Sequence, residues 1–196
     1  PEAYTNAQYM ADLTTVLAHA GANTVDWVGT SMGGVLGIML AAQRNTPIRR
    51  LVLNDVGPLV PRSALLNIAE YVGADPHFPD FEAAVAYMAQ IHAGFGDLAE
   101  RHWRHLARHG VRPVDDGGYR LAYDPAIGAP FGDREAIADV DLWAFWDAIT
   151  CPVLAIRGAQ SELLTADTLA EMQRRGPGAK ALVLPDAGHA PALLMA

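Results

Sequence analysis

Val28-Gly29-Thr30-Ser31-Met32-Gly33-Gly34 decides how this chain is read. Its centre, Gly29 to Gly33, fits G-x-S-x-G, a weak pattern alone because glycine and serine are common. The flanks give it weight. Thr24-Val25-Asp26-Trp27-Val28 reads as a short strand, and Val35 to Arg44 is apolar nearly all round, as a buried helix is. A serine on a sharp strand-to-helix turn is a nucleophile elbow. The residues two before and two after it crowd such a turn, so glycine is expected at 29 and at 33. Ser31 Oγ should then stand at the carboxyl end of a sheet. The Met32 N–H, at the helix N-terminus, should point where an oxyanion would form.

Working outward, residues 6–20 place Tyr9, Leu13, Val16 and Leu17 on one helical stripe, with Gly21 as the stop. Three further apolar runs read as buried strands: residues 50–54, 153–156 and 181–184. Residues 165–175 form a helix between the last two. Strands alternating with helices predict an α/β domain with a parallel sheet. Residues 58–150 interrupt that order with helix-like segments at 62–72, 80–93, 97–109 and 139–148 and a Gly/Pro-broken piece at 110–132. They read as a helical cap inserted between two core pieces, 1–57 and 151–196.

A serine hydroxyl needs a base, and the base needs an acid to fix its tautomer. His189, in Ala187-Gly188-His189-Ala190-Pro191, follows the fourth strand and so lies at the same sheet end as Ser31. In elbows of this kind the chain order is serine, acid, histidine. Glu162, after the third strand, fits that order best. Asp55, directly after the second strand, is the rival, and Asp186 stands too close to His189 in sequence.

With VGTSMGG (28–34), LVLNDVGP (51–58), PVLAIRGAQSELL (152–164) and DAGHAP (186–191), the chain resembles the α/β-hydrolase superfamily, in its branch of serine esterases, enol-lactonases and carbon–carbon bond hydrolases. The resemblance implies a three-layer α/β/α core with a partial parallel sheet and a helical cap. It implies Ser31 as nucleophile, His189 as base and the acid at Glu162, where most relatives carry aspartate. The expected activity is cleavage of an ester-like bond of a small molecule through an acyl-enzyme. Enol-lactone or carbon–carbon hydrolysis by the same residues is the alternative, and a non-catalytic ligand-binding role is a third reading. A serine nucleophile argues against dehalogenase and epoxide hydrolase chemistry, which attacks with aspartate.

The resemblance also leads one to expect strands before the helix at 6–20, a loop with the second oxyanion donor, and a helix after the histidine loop. Each βα unit takes about 30 residues, so the chain reads as a fragment. Made alone, it is expected to be poorly soluble and nearly inactive, because an apolar strand at 24–28 with no outer neighbour is an aggregation template.

Composition narrows the partners. The chain has 196 residues with 14 Lys+Arg against 22 Asp+Glu, net −8, and only one of the basic residues is lysine. That argues against nucleic acid and against an anionic membrane surface. Apolar residues make up 51% and charged residues 18%, which excludes global disorder. The single cysteine, Cys151, excludes an internal disulfide framework and reads as a buried inert thiol. With no targeting segment visible, the expected compartment is the cytoplasm. His102, His105 and His109 share a helix with three arginines and read as a solvated cap face, and no metal or organic cofactor is implied. Among the cap aromatics, Trp143 and Trp146, near the return into the sheet, are the candidates for substrate contact.

Overall fold

The computed structural model describes residues 3–189 and 191–192. Thr5 caps helix α1 (Asn6–His19) by accepting the Gln8 N–H, and strand β1 (Val25–Thr30) follows. Helix α2 (Met32–Ala41) starts directly after Ser31, and strand β2 (Ile48–Asn54) comes next. The insertion runs through β3 (Leu59–Val60), α3 (Arg62–Ala69), β4 (His77–Phe78), α4 (Phe81–Ile91), α5 (Glu100–Gly110), β5 (Val111–Pro113), β6 (Tyr119–Leu121), β7 (Val140–Asp141) and α6 (Trp143–Ala148). The core resumes with β8 (Val153–Gly158), α7 (Ala166–Arg174) and β9 (Lys180–Leu184).

Four strands form one parallel sheet in the order β1-β2-β8-β9. Every strand therefore ends at the same edge, where Ser31, Asp55 and the loops after β8 and β9 gather. Pleating sends Leu51, Leu53, Val153 and Ala155 to one face, where α2 and α7 cover them. Met10, Leu13 and Leu17 of α1 pack against the same core, but Val16 is 62% exposed, so the buried stripe of that helix is narrower than its periodicity predicts. Val28 and Leu182 lie on the opposite face and are exposed, Val28 at 71%. Among the described residues β1 is an outer strand of this sheet.

The insertion leaves and returns through one neck. Antiparallel pairing of β3 with β7 sets Leu59 beside Asp141, and Asp139 accepts the Arg62 N–H at 2.6 Å. Beyond the neck, Phe78, Val85, Met88, Ala107 and Leu121 form a second small core. The insertion is less purely helical than its sequence predicts, because residues 110–132 contribute β5 and β6 to an antiparallel sheet in the order β4-β6-β5. The turn at 114–118 makes that hairpin possible: Gly117 and Gly118 take φ of 89° and 80°. No helix among the described residues is long and apolar enough to cross a membrane.

Candidate active site

Ser31 takes φ 51° and ψ −122°, a conformation a side-chain-bearing residue adopts only when its surroundings impose it. The crowding around it falls on Gly29 and Gly34. A Cβ on Gly29 would lie 2.4 Å from the Gly33 carbonyl oxygen, and one on Gly34 would lie 2.3 Å from Val56 Cγ1. A Cβ on Gly33 would meet nothing within 4 Å. The expectation of crowding at the glycine two after the serine is thus displaced by one residue. The Ser31 side chain makes no capping bond to its own helix. The Met32 N–H is one of the first donors of α2, which have no partner within the helix.

The second strand delivers Asp55 to the same place. The Ser31 N–H donates to the Asn54 carbonyl at 3.4 Å, and Asn54 Nδ2 donates to Thr30 Oγ1 at 3.2 Å, so the elbow is tied to the end of β2. Asp55 then turns with φ 56° while its N–H donates to the Ile156 carbonyl at 2.8 Å. Its carboxylate is fully buried and collects three donors. Gly158 N–H reaches Oδ1 at 2.9 Å, and both Ser161 Oγ and His189 Nδ1 reach Oδ2, the latter at 2.9 Å.

Glu162 does not meet His189. Its carboxylate is exposed and accepts the Asn67 side-chain amide at 2.9 Å. The physical reason lies in the loop: Ser161, one residue earlier, is buried and takes the inward position beside Asp55, so Glu162 points outward. The geometry therefore pairs the histidine with Asp55, the rival candidate. Among the described residues no hydrogen bond joins Ser31 Oγ to His189. Such catalytic contacts commonly tighten only once a substrate is bound.

Gly94 and Phe95 hold the histidine loop. Gly188 N–H donates to the Phe95 carbonyl at 3.1 Å and His189 N–H to the Gly94 carbonyl at 3.0 Å. A Cβ on Gly188 would sit 1.9 Å from the Gly94 oxygen, so only glycine allows this approach. The Phe95 ring meets the His189 imidazole edge-on at 5.9 Å and stacks on His92 at 4.5 Å. Burial, reinforced by the neighbouring His189, pushes the His92 imidazole down to about 4. Among the described residues its Nδ1 is buried without a partner.

A cavity of about 600 Å³ opens beside His189, between α3, the end of α4 and the loop after β8. Tyr71, His92 and Phe95 line it; Trp143 and Trp146 do not. Trp146 is fully buried in the core and donates to the Arg175 carbonyl at 3.0 Å, while Arg175 covers the Trp143 ring at 4.6 Å. No periodicity or motif in the sequence marks Tyr71, His92 or Phe95 as lining this space. Burial raises the Cys151 thiol, which suits an inert role. The rings of His105 and His109 lie 4.7 Å apart, and among the described residues no three His, Cys, Asp or Glu side chains gather to hold an ion.

The α/β hydrolase fold family matches residues 1–194. The chain is 43% identical over 195 residues to a 3-hydroxybutyrate-oligomer hydrolase of Cupriavidus necator, covering 96% of this chain and 67% of that protein. It is 30% identical over 187 residues to a 2-(acetamidomethylene)succinate hydrolase of Mesorhizobium japonicum, covering 95% and 65%. The crystal structure of an α/β hydrolase from Novosphingobium aromaticivorans superposes with a TM-score of 0.84 at 35% identity, covering 98% of this chain and 68% of that one. The chain thus spans about two thirds of the length of these relatives. On its elbow, its parallel sheet and these matches, the chain belongs to the α/β hydrolase fold family, whose relatives named here are hydrolases.

Proposed function

We propose that the protein is a serine ester hydrolase acting through Ser31, His189 and Asp55. The observation that carries this reading is the His189–Asp55 contact at 2.9 Å, at the sheet edge where the strained Ser31 stands. Asp55 holds Nδ1 protonated, which leaves Nε2 free as a base. Ser31 Oγ attacks the ester carbonyl carbon while Nε2 takes its proton. The Met32 N–H stabilises the oxyanion. As the intermediate collapses, the C–O bond to the alcohol breaks and the alcohol leaves with the proton from Nε2. Water then attacks the acyl-enzyme, losing a proton to Nε2; the bond from the acyl carbon to Oγ breaks, Nε2 returns the proton to Ser31 and the carboxylic acid departs.

The Cupriavidus necator relative, named for 3-hydroxybutyrate oligomers, makes a hydroxy-acid oligoester the first natural-type substrate to try. The succinate-named relative keeps hydrolysis of another bond by the same three residues as the second reading. A fluorophosphonate probe separates an activated serine from an idle one. Labelling of the encoded protein at Ser31, lost in Ser31→Ala together with turnover of p-nitrophenyl butyrate, is the expected result. An unlabelled Ser31, or turnover unchanged in Ser31→Ala, would refute the reading.

A further inference from the structure

The cavity beside His189 has an unusual charge pattern. Its floor is apolar, built from Ala64, Ile68, Ile91, Leu163 and Phe95. Its rim is polar but almost uncharged, with the amides of Asn67, Gln90 and Gln160. Among the described residues neither lysine nor arginine lines it. Two carboxylates do, and they differ. Glu70 is ion-paired with Arg134, so its charge is compensated. Glu162 accepts only the Asn67 amide, and among the described residues no cation pairs with it, so its carboxylate stands uncompensated at the rim. The Asn67 bond fixes where that charge sits.

An anionic group entering this space would lose water, meet no lysine or arginine among the described lining residues and face a like charge. Its burial would cost far more than the amides return. An uncharged segment carrying ester or hydroxyl oxygens would keep its apolar carbons on the floor and find amide N–H donors at the rim.

Resting on the ester-hydrolase reading above, we propose that this cavity takes the uncharged, oxygen-bearing end of an ester substrate. Glu162 is the specificity-determining residue that turns away substrates with a carboxylate at that end. This gives the exposed glutamate after β8 a role in selection, separate from the chemistry at Asp55.

Two matched ester pairs test it in the encoded protein. One places a carboxylate on the acyl half (p-nitrophenyl butyrate against mono-p-nitrophenyl glutarate), the other on the alcohol half (benzyl butyrate against 4-carboxybenzyl butyrate). The readout is the ratio of kcat/KM, neutral over anionic. The pair whose half occupies the cavity should favour the neutral ester. For that pair Glu162→Gln should lower the ratio about five- to tenfold, the effect of one rim charge in partly screened surroundings. Glu162→Lys should lower it further. Glutamine keeps the acceptor for Asn67, so the loop geometry is retained. Ratios unmoved in both pairs by both substitutions overturn the proposal. So does loss of all four activities together in Glu162→Gln, which would place Glu162 in the chemistry. A wild-type protein that cleaves none of the four esters and leaves Ser31 unlabelled overturns the ester-hydrolase reading itself, and the proposal with it.

Discussion

His189 Nδ1 lies 2.9 Å from Asp55 Oδ2, and the Asp55 side chain is wholly shielded from solvent. A buried carboxylate is tolerated only when its oxygens are satisfied. Here the imidazole is one donor of three, so the acid and the histidine loop stabilise each other's placement. β8 lies between β2, which ends at Asn54 just before Asp55, and β9, which precedes the histidine loop, so strands far apart in the chain bring the two together.

Ser161 is the donor most open to test. Its hydroxyl donates to Asp55 Oδ2 and accepts the Leu163 N–H at 3.1 Å. Ser161→Ala removes a hydrogen bond to a buried charge, at a cost of about 1.5–3 kcal/mol. Denaturant unfolding should show that loss. Steady-state kinetics should show kcat down about tenfold, as the imidazole is held less firmly. A kcat equal to the parent's would mean that Ser161 does not position the acid.

The elbow makes an opposite pair of expectations for adjacent glycines. Gly34→Ala drives a Cβ to 2.3 Å from Val56 Cγ1 and 3.0 Å from the Gly29 oxygen, so it should destabilise by about 2 kcal/mol or more. Gly33→Ala meets open space and should stay within about 0.5 kcal/mol. Thermal unfolding of the two variants ranks them. Equal losses, or a greater loss at 33, would contradict the packing described.

His92 sets an acid limb of stability. Its folded value is depressed from 6.5 to about 4, first by burial and then by the nearby His189. Between these values the unfolded chain binds the proton and the folded chain does not, so stability is intact above about 6.5 and falls as pH drops towards 4. Fully buried, such a shift would be worth roughly 3 kcal/mol; residual solvent reduces it to about 2. His92→Gln should flatten Tm against pH in that window. An unchanged slope would show that His92 does not carry it.

Much of this was legible in the chain because its decisive features are local. Continuous apolar runs marked three of the parallel strands, and the short stretch 24–28 before the glycine-flanked serine marked the first strand and the elbow. What was not legible depended on how loops point. Asp55 and Glu162 both follow strands that end at the same edge. The choice turns on the left-handed backbone at Asp55 and on Ser161 occupying the inward position, and neither is written as a periodicity. The one usable hint was proximity: Asp55 follows its strand immediately, whereas Glu162 sits four residues past Gly158. The same holds for the cap. Trp143 and Trp146 lie near the return to the sheet yet serve the core, while Phe95 reaches His189 through pairing between Gly96 and Ala187, a contact 91 residues apart in sequence. Nothing short-range announces it.

The measurement closest to the central claim is kcat for p-nitrophenyl butyrate in Asp55→Asn beside Glu162→Gln. An amide at 55 can no longer fix the imidazole tautomer or offset its positive charge. The account predicts a fall of about 10³–10⁴-fold in Asp55→Asn with little change in KM, and less than tenfold in Glu162→Gln. The reverse order, with Glu162→Gln the crippled variant and Asp55→Asn near parental, would contradict it.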